Sequence, residues 1–195
     1  MKTSPDPKCL WQPDASDIKT TEIVQFADFV MKQTGFDWQG DFQNLWQWSV
    51  DDSPLFWNCL WDWHGIIGDK GARDLINPEQ MPGAQFFPDA KICFAENMLA
   101  NADDRPAIAA HSESGALTTL TRAELKSKVM ALAGWLKTAG VTPGDRVAAY
   151  VANIPEAIIM MLATSTIGAV YSSCSPDFGI GGARDRFSQI EPKIL

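Results

Sequence analysis

The chain reads as an α/β protein in two unequal parts: a helical, tryptophan-rich N-terminal extension, then a parallel-type α/β sheet that is incomplete. Three observations predict this. Seven of the eight tryptophans precede residue 64, in a region whose apolar residues recur at helical intervals. The runs RVAAYV and AVYSSCS lack the in–out alternation of a sheet with one wet face, as strands covered on both faces do. Around them lie amphipathic stretches of about a dozen residues or more, the crossover length that parallel strands need.

The elements follow in order. Ser16, Asp17, Thr20 and Thr21 are candidate caps for IVQFADFVMKQTG, where Ile23, Phe26, Ala27 and Val30 share a helical face and Gly35 ends the run. In FQNLWQWSVDDSPLFWNCLWDWHGI, the residues Phe42, Leu45 and Trp46, then Leu55, Phe56, Cys59, Leu60 and Trp63, recur at helical spacing. The pattern breaks near Ser53-Pro54, so two short helices are predicted, the second starting at Ser53 with proline in its first turn. At this spacing the tryptophans serve helix packing rather than a ligand groove.

Residues 66–90 are rich in Gly, Pro, Asp and Asn, with turn signals at Asn77-Pro78 and Met81-Pro82-Gly83, and read as an extended connector. A helix is predicted near Cys93–Ala100, a loop at Asp103-Asp104-Arg105-Pro106, and a hairpin turning at Ser112–Gly115. Thr121-Arg122-Ala123-Glu124 is a capping box opening a helix. Its buried stripe is Leu125, Val129, Leu132, Ala133, Leu136 and Ala139, and Gly140 supplies the left-handed end. A turn at Thr142-Pro143-Gly144-Asp145 leads into RVAAYV, a helix near Pro155–Gly168, and AVYSSCS. After a loop and one more helix, Lys193-Ile194-Leu195 opens a further strand that is not completed, which marks the chain as a fragment.

Composition restricts the function. Of the 195 residues 46% are hydrophobic and 21% charged, an ordinary globular balance. A net charge of −8 disfavours general binding to nucleic acid or to anionic membranes. Cys9, Cys59, Cys93 and Cys174 are scattered, with no CxxC pair, so neither zinc nor a disulfide framework is indicated. The first residues lack an apolar signal core and no run approaches the roughly 20 apolar residues of a membrane span, pointing to a soluble, cytoplasmic protein. His64 and His111 lack a sequence neighbour that would make them catalytic. Asp103-Asp104 is too small a set of oxygens for a hard cation, and no metal site is assigned. Cys174 reads as a small core residue.

Three stretches carry a resemblance: FQNLWQWSVDDSPLFW, MPGAQFFPDAKICFAENML, and VTPGDRVAAYVANIPEAIIMMLATSTIGAVYSSCSPDFG. From about Trp38 to Leu195 the chain resembles the adenylate-forming acyl-CoA synthetases. The first two stretches are similar to the N-terminal extension of the members that act on short acids, and SSCSPDFG is similar to the branch whose acid is acetoacetate. The resemblance implies residues 1–95 as that extension and 96–195 as the first part of the AMP-binding (adenylation) domain. It implies a parent that joins ATP and a carboxylate into an acyl-adenylate with loss of pyrophosphate, after which the CoA thiol displaces AMP. ATP, CoA and Mg2+ are thus cofactors of the parent, none held tightly by this chain. Its partners are acetoacetate or a related short carboxylate and the rest of its own adenylation domain, with self-association through an open sheet edge.

No catalytic residue carries over. The family's lysine-ending phosphate loop is absent: Thr164-Ser165-Thr166-Ile167-Gly168 mimics its composition but reads as a helix end, and Gly179–Gly182 lacks the P-loop spacing and lysine. The resemblance places one site, the CoA-facing loop after AVYSSCS, at Ser175, Asp177, Phe178 and Gly179. Acetyl-CoA synthetases carry glycine where this chain has Asp177. Arg184 and Arg186 are candidate phosphate donors for the same site; the plainer reading of both is an exposed charge lattice with Asp185, Asp177 or Glu191. Readings from a different class are a stand-alone truncated paralogue that docks a protein partner and a CoA-binding module without adenylation.

Overall fold

Asp14 opens the helical part. In the computed structural model, which describes residues 10–195, its carboxylate accepts from Ser16 and Asp17 amides while Asp17 bonds back to the Asp14 amide. This capping box starts a short helix, α1 (Ala15–Lys19), which sequence periodicity did not separate from the next helix. Of the four expected caps only Thr21 stands at the start of α2 (Glu22–Thr34), and its hydroxyl turns back to Ile18 O at 2.7 Å. Cys9 lies outside the described residues.

The chain divides into two compact units, one ending at Ala90 and one running from Lys91 to Leu195. In the first, α2 ends at Gly35 with φ 79°, and α3 (Phe42–Asp51) and α4 (Ser53–His64) meet where the sequence pattern breaks. Asp52 caps α4 and Pro54 sits in its first turn, where a missing amide hydrogen costs nothing. Phe26, Ala27, Val30, Leu45, Trp48 and Cys59 form the buried core. The predicted stripe of α3 is corrected here: Phe42 and Trp46 face outward, and Trp48 replaces them in the interior. Ile23, expected on the buried face of α2, is also exposed. Trp48 stacks on Phe36 at 4.9 Å between centroids, and Phe26 meets Phe56 and Trp63 edge-on at 6.0 and 6.1 Å.

The connector is extended, with the short strands β1 (Gly68–Asp69), β2 (Leu75–Ile76) and β3 (Gln85–Phe86); β2 and β3 pair antiparallel. It is seated by packing as well as by its turns. Phe86 and Phe87 pack against Trp57 and Trp61, each pair at 5.0 Å, and Lys70 bonds Asp62 at 2.6 Å. Arg73 and Asp89 form a forked ion pair that closes the segment.

The second unit begins with β4 (Lys91–Ile92) and α5 (Phe94–Met98), followed by the antiparallel hairpin β5 (Pro106–His111) and β6 (Leu117–Thr121). Asp103 accepts from the amide and the guanidinium of Arg105 and so shapes the turn before β5, as its sequence position suggested. The Thr121–Glu124 capping box is formed, with bonds of 2.8 and 3.1 Å, and opens α6 (Arg122–Thr138). Leu125, Val129, Ala133 and Leu136 are buried, whereas Ala139, expected in the stripe, is an exposed cap residue. The Gly140 amide bonds Lys137 O and the Val141 amide bonds Leu136 O, a Schellman ending that needs the φ of 83° at Gly140.

β7 (Arg146–Tyr150) and β8 (Val170–Cys174) pair in parallel, joined by α7 (Pro155–Thr166). The 3₁₀ turn Pro176–Phe178 and α8 (Gly179–Ile190) then carry the chain back across β7, where Val147 and Ile194 form a parallel bridge. β7 therefore lies between β8 and the residues around Ile194. Val147 faces the cluster built by α5, α6 and α7, while Ala148 clusters with Cys174 of β8 and with Ala183 and Phe187 of α8. Successive strand residues point to opposite faces, so this pair alone shows that the sheet is covered on both sides. The α/β class and the parallel βαβ unit are as the sequence predicts.

Thr164-Ser165-Thr166-Ile167-Gly168 is a helix end. The Ser165 and Thr166 hydroxyls bond back to Met161 O and Leu162 O, and the Gly168 and Ala169 amides close a second Schellman motif on Ser165 O and Thr164 O.

Candidate functional site

In open α/β sheets, ligands sit in the crevice beyond the carboxyl ends of the strands. In this chain that edge is built by the loop 151–154 after β7 and by Ser175–Gly179 after β8. Four of the six residues singled out in the sequence lie in this second segment. Ser175 is half-buried and caps the 3₁₀ turn: its hydroxyl donates to Asp177 Oδ2 at 2.8 Å and accepts from the Asp177 amide at 3.3 Å. Phe178 is half-exposed, and Gly179 takes the left-handed φ of 64° that lets the chain leave the turn and enter α8 at once.

Arg186 joins them from α8. Its guanidinium lies over the Phe178 ring, 4.2 Å from the centroid, and donates to Gly182 O at 3.1 Å. A Cβ on Gly182 would stand 3.4 Å from both Phe178 Cβ and an Arg186 nitrogen, so glycine there leaves room for the stack. Arg184 is exposed on the same helix. The charge lattice anticipated for these arginines is not formed among the described residues: the ion pairs present involve Arg73, Arg105, Arg122, Lys70 and Lys193. The structure thus brings Ser175, Asp177, Phe178, Gly179 and Arg186 into one turn-and-helix unit and leaves Arg184 beside it.

Contacts that sequence reasoning missed hold this edge in place. Tyr150, at the end of β7, donates its hydroxyl to Pro176 O at 2.9 Å. At the opposite end of the sheet Asp145 accepts from the Thr142 amide at 2.7 Å, the Thr142 hydroxyl at 2.8 Å and Lys193 Nζ at 2.9 Å. Arg146 donates to Ile190 O at 2.8 Å and to Glu191 O at 3.3 Å, satisfying the last carbonyls of α8. The partners in these long-range contacts are 26 to 48 residues apart, beyond any local pattern.

The amide and hydroxyl of Thr142 and the ammonium of Lys193 favour the charged form of Asp145, drawing its pKa from 3.8 to about 2. A depressed folded-state value means that Asp145 adds stability above the usual carboxylate pKa, and that this contribution is lost as pH falls from about 4 through about 2. Asp145→Asn is therefore expected to lower the urea midpoint at pH 7 and to bring variant and parent chain together near pH 2. Equal midpoints at pH 7 would remove Asp145 from the acid response.

A cavity of about 430 Å3 in this unit lies elsewhere, lined among others by Phe94, Met98, Arg122, Ile158 and Met161. None of its lining residues belongs to the Ser175–Gly179 turn.

A parallel βαβ unit covered on both faces, with a capped, arginine-stacked turn at its carboxyl edge, defines an α/β domain. Residues 94–195 match the family described as AMP-binding enzyme, and the chain belongs to that family. It is 38% identical over 186 residues to the acetoacetyl-coenzyme A synthetase of Rhizobium meliloti, covering 95% of this chain and 28% of the relative. To the acetoacetyl-CoA synthetase of Xenopus tropicalis it is 34% identical, covering 100% and 29%. Among solved structures, the acetoacetyl-CoA synthetase from Streptomyces lividans superposes with a TM-score of 0.78 at 39% identity, over 95% of this chain and 29% of that one. The chain thus spans under a third of the length of these relatives. Among the described residues no helix is long and apolar enough to cross a membrane.

Proposed function

We propose that this chain is the N-terminal part of an ATP-dependent acetoacetate:CoA ligase, a soluble cytoplasmic enzyme, and that it is inactive alone. The observation that carries this reading is the likeness to the Streptomyces lividans acetoacetyl-CoA synthetase, which extends over both units at 39% identity. Residues 1–95 serve as the extension and 96–195 as the first part of the adenylation domain. The partner of this part is then the remainder of the same domain, which continues the sheet beyond the bridge at Ile194 and supplies the open edge with a neighbour.

The reaction divides into two halves. In the first, a carboxylate oxygen of acetoacetate attacks the α-phosphorus of ATP and pyrophosphate leaves; in the second, the CoA sulfur attacks the acyl carbon and AMP leaves. The described residues include no cluster of three or more His, Cys, Asp or Glu fit to hold an ion. ATP and Mg2+ are assigned to the remainder of the parent because the lysine-ending phosphate loop expected of the family is not in this sequence, and no step through them is derived from this chain.

The part assigned to this chain is the CoA-facing turn. Ser175, Asp177, Phe178 and Gly179 form its wall, Arg186 fixes the Phe178 ring, and exposed Arg184 offers forked donors to phosphate. Such a wall contributes by aiming a thiol at the acyl carbon, an orientation effect. Incubating the full-length parent with ATP, Mg2+, CoA and, in turn, acetoacetate, acetate and propionate tests the reading through AMP release. Acetoacetate is expected to be turned over best; preference for another acid removes the substrate assignment but keeps the ligase.

A further inference from the structure

The turn after β8 is short and holds itself weakly. It has three residues, and 3₁₀ geometry gives poor hydrogen bonds. Beside its own Phe178 amide to Ser175 O bond of 3.2 Å, it is tied to the rest of the unit through one peptide group, that between Pro176 and Asp177. The Pro176 carbonyl accepts from the Gly179 amide, which closes the turn, and also from the Tyr150 hydroxyl at 2.9 Å. The amide of the same peptide donates to Ser175 Oγ. Both ends of that peptide plane are thereby held, and the Tyr150 bond ties the plane to the sheet, 26 residues away in sequence.

Tyr150 is well placed for this. It ends β7, sits in register opposite Cys174, and the ladder continues one step further through the Val151 amide to Cys174 O at 3.1 Å. The ring is thus carried by the sheet, while 42% of the residue stays exposed beside the turn. On the far side Arg186 presses on Phe178. The turn is held between a strand end and a helix.

We infer that Tyr150 is a positioning residue for the thioester-forming half of the reaction, acting through the Ser175–Gly179 turn. This rests on the ligase reading above. Tyr150 acts through the turn: its hydroxyl sets the orientation of the peptide from which Asp177, Phe178 and Gly179 project toward CoA. Adenylation, which precedes CoA entry, does not depend on that orientation.

Tyr150→Phe in the full-length parent removes the one oxygen and keeps the ring. The KM for CoA is expected to rise about tenfold, the scale of a modest misorientation of a bound reactant. ATP–pyrophosphate exchange without CoA is expected to stay within about twofold of the wild type, a split that general loss of structure would not produce. Amide hydrogen exchange at Phe178 and Gly179 is expected to accelerate in the variant, which reports on the turn independently of turnover. An unchanged KM for CoA, equal losses in both half-reactions, or unchanged amide exchange overturns the inference. A wild-type parent that forms no acyl-CoA at all shows the ligase reading to be wrong before any variant is compared, and the positioning role falls with it.

Discussion

Leu136→Ala is expected to destabilise the unit from Lys91 to Leu195 by about 3 kcal/mol, within the range of buried leucine truncations. Leu136 is fully buried in α6, in the cluster that joins α5, α6, α7 and Val147 of the sheet. It also occupies the last turn of its helix, where its carbonyl receives the Val141 amide and Val141, itself buried, belongs to the same cluster. That side-chain contact accompanies Schellman endings and sets the angle at which the chain leaves α6 for β7. Removing three carbons leaves a void bounded by sheet and helices that cannot close independently. Met130→Ala, half-exposed on the same helix, is expected to change stability by less than about 0.5 kcal/mol. Urea unfolding followed by far-UV circular dichroism measures both, and similar costs for the two would contradict the packing described.

The second large effect lies in the other unit. Trp48→Ala is expected to cost about 3 kcal/mol, and Trp46→Ala less than about 0.5. The two tryptophans are neighbours on α3 but Trp48 is 9% exposed and Trp46 51%. Trp48 stacks on Phe36 and meets Phe56 edge-on, so its truncation removes two ring contacts as well as burial. Trp48→Phe is expected to fall between. Equal midpoint shifts for Trp46→Ala and Trp48→Ala, measured by thermal unfolding, would mean that the orientation of α3 is not as described.

The Trp46–Trp48 difference shows where sequence reading stops. Helical spacing identifies a helix, but in α3 apolar residues occupy more than one face, and Phe42–Leu45–Trp46 is as regular as the buried pair Leu45 and Trp48. Which face turns inward is decided by tertiary partners, here Phe36 and Phe56. Elements with local chemistry were legible: the Thr121–Glu124 box, the glycines that end α2 and α6, the Ser53-Pro54 break, and the two strands. Their signals lie within a few residues and satisfy backbone groups directly. The helix end at Thr164–Gly168 was legible for the same reason, since its glycine and hydroxyls act on the adjoining turn.

The candidate site divides likewise. Ser175 as cap of Asp177 is a local matter. The stack of Arg186 on Phe178 joins residues two helical turns apart, and sequence could suggest only that the arginine was near. Tyr150, Arg146 and the Asp145–Lys193 pair had no local signature, because each joins elements separated by a full crossover. Asp14 was missed because the helix it caps has only five residues, too few to show a period.

The central claim is that this chain supplies part of an AMP-forming acyl-CoA ligase and depends on the rest of that enzyme for chemistry. ATP–pyrophosphate exchange with acetoacetate and Mg2+, run side by side on this chain and on the protein encoded by its full reading frame, tests it most directly. The account predicts exchange by the longer protein and none by the chain alone. Exchange by the isolated chain, or none by the longer protein with any short acid, would contradict it.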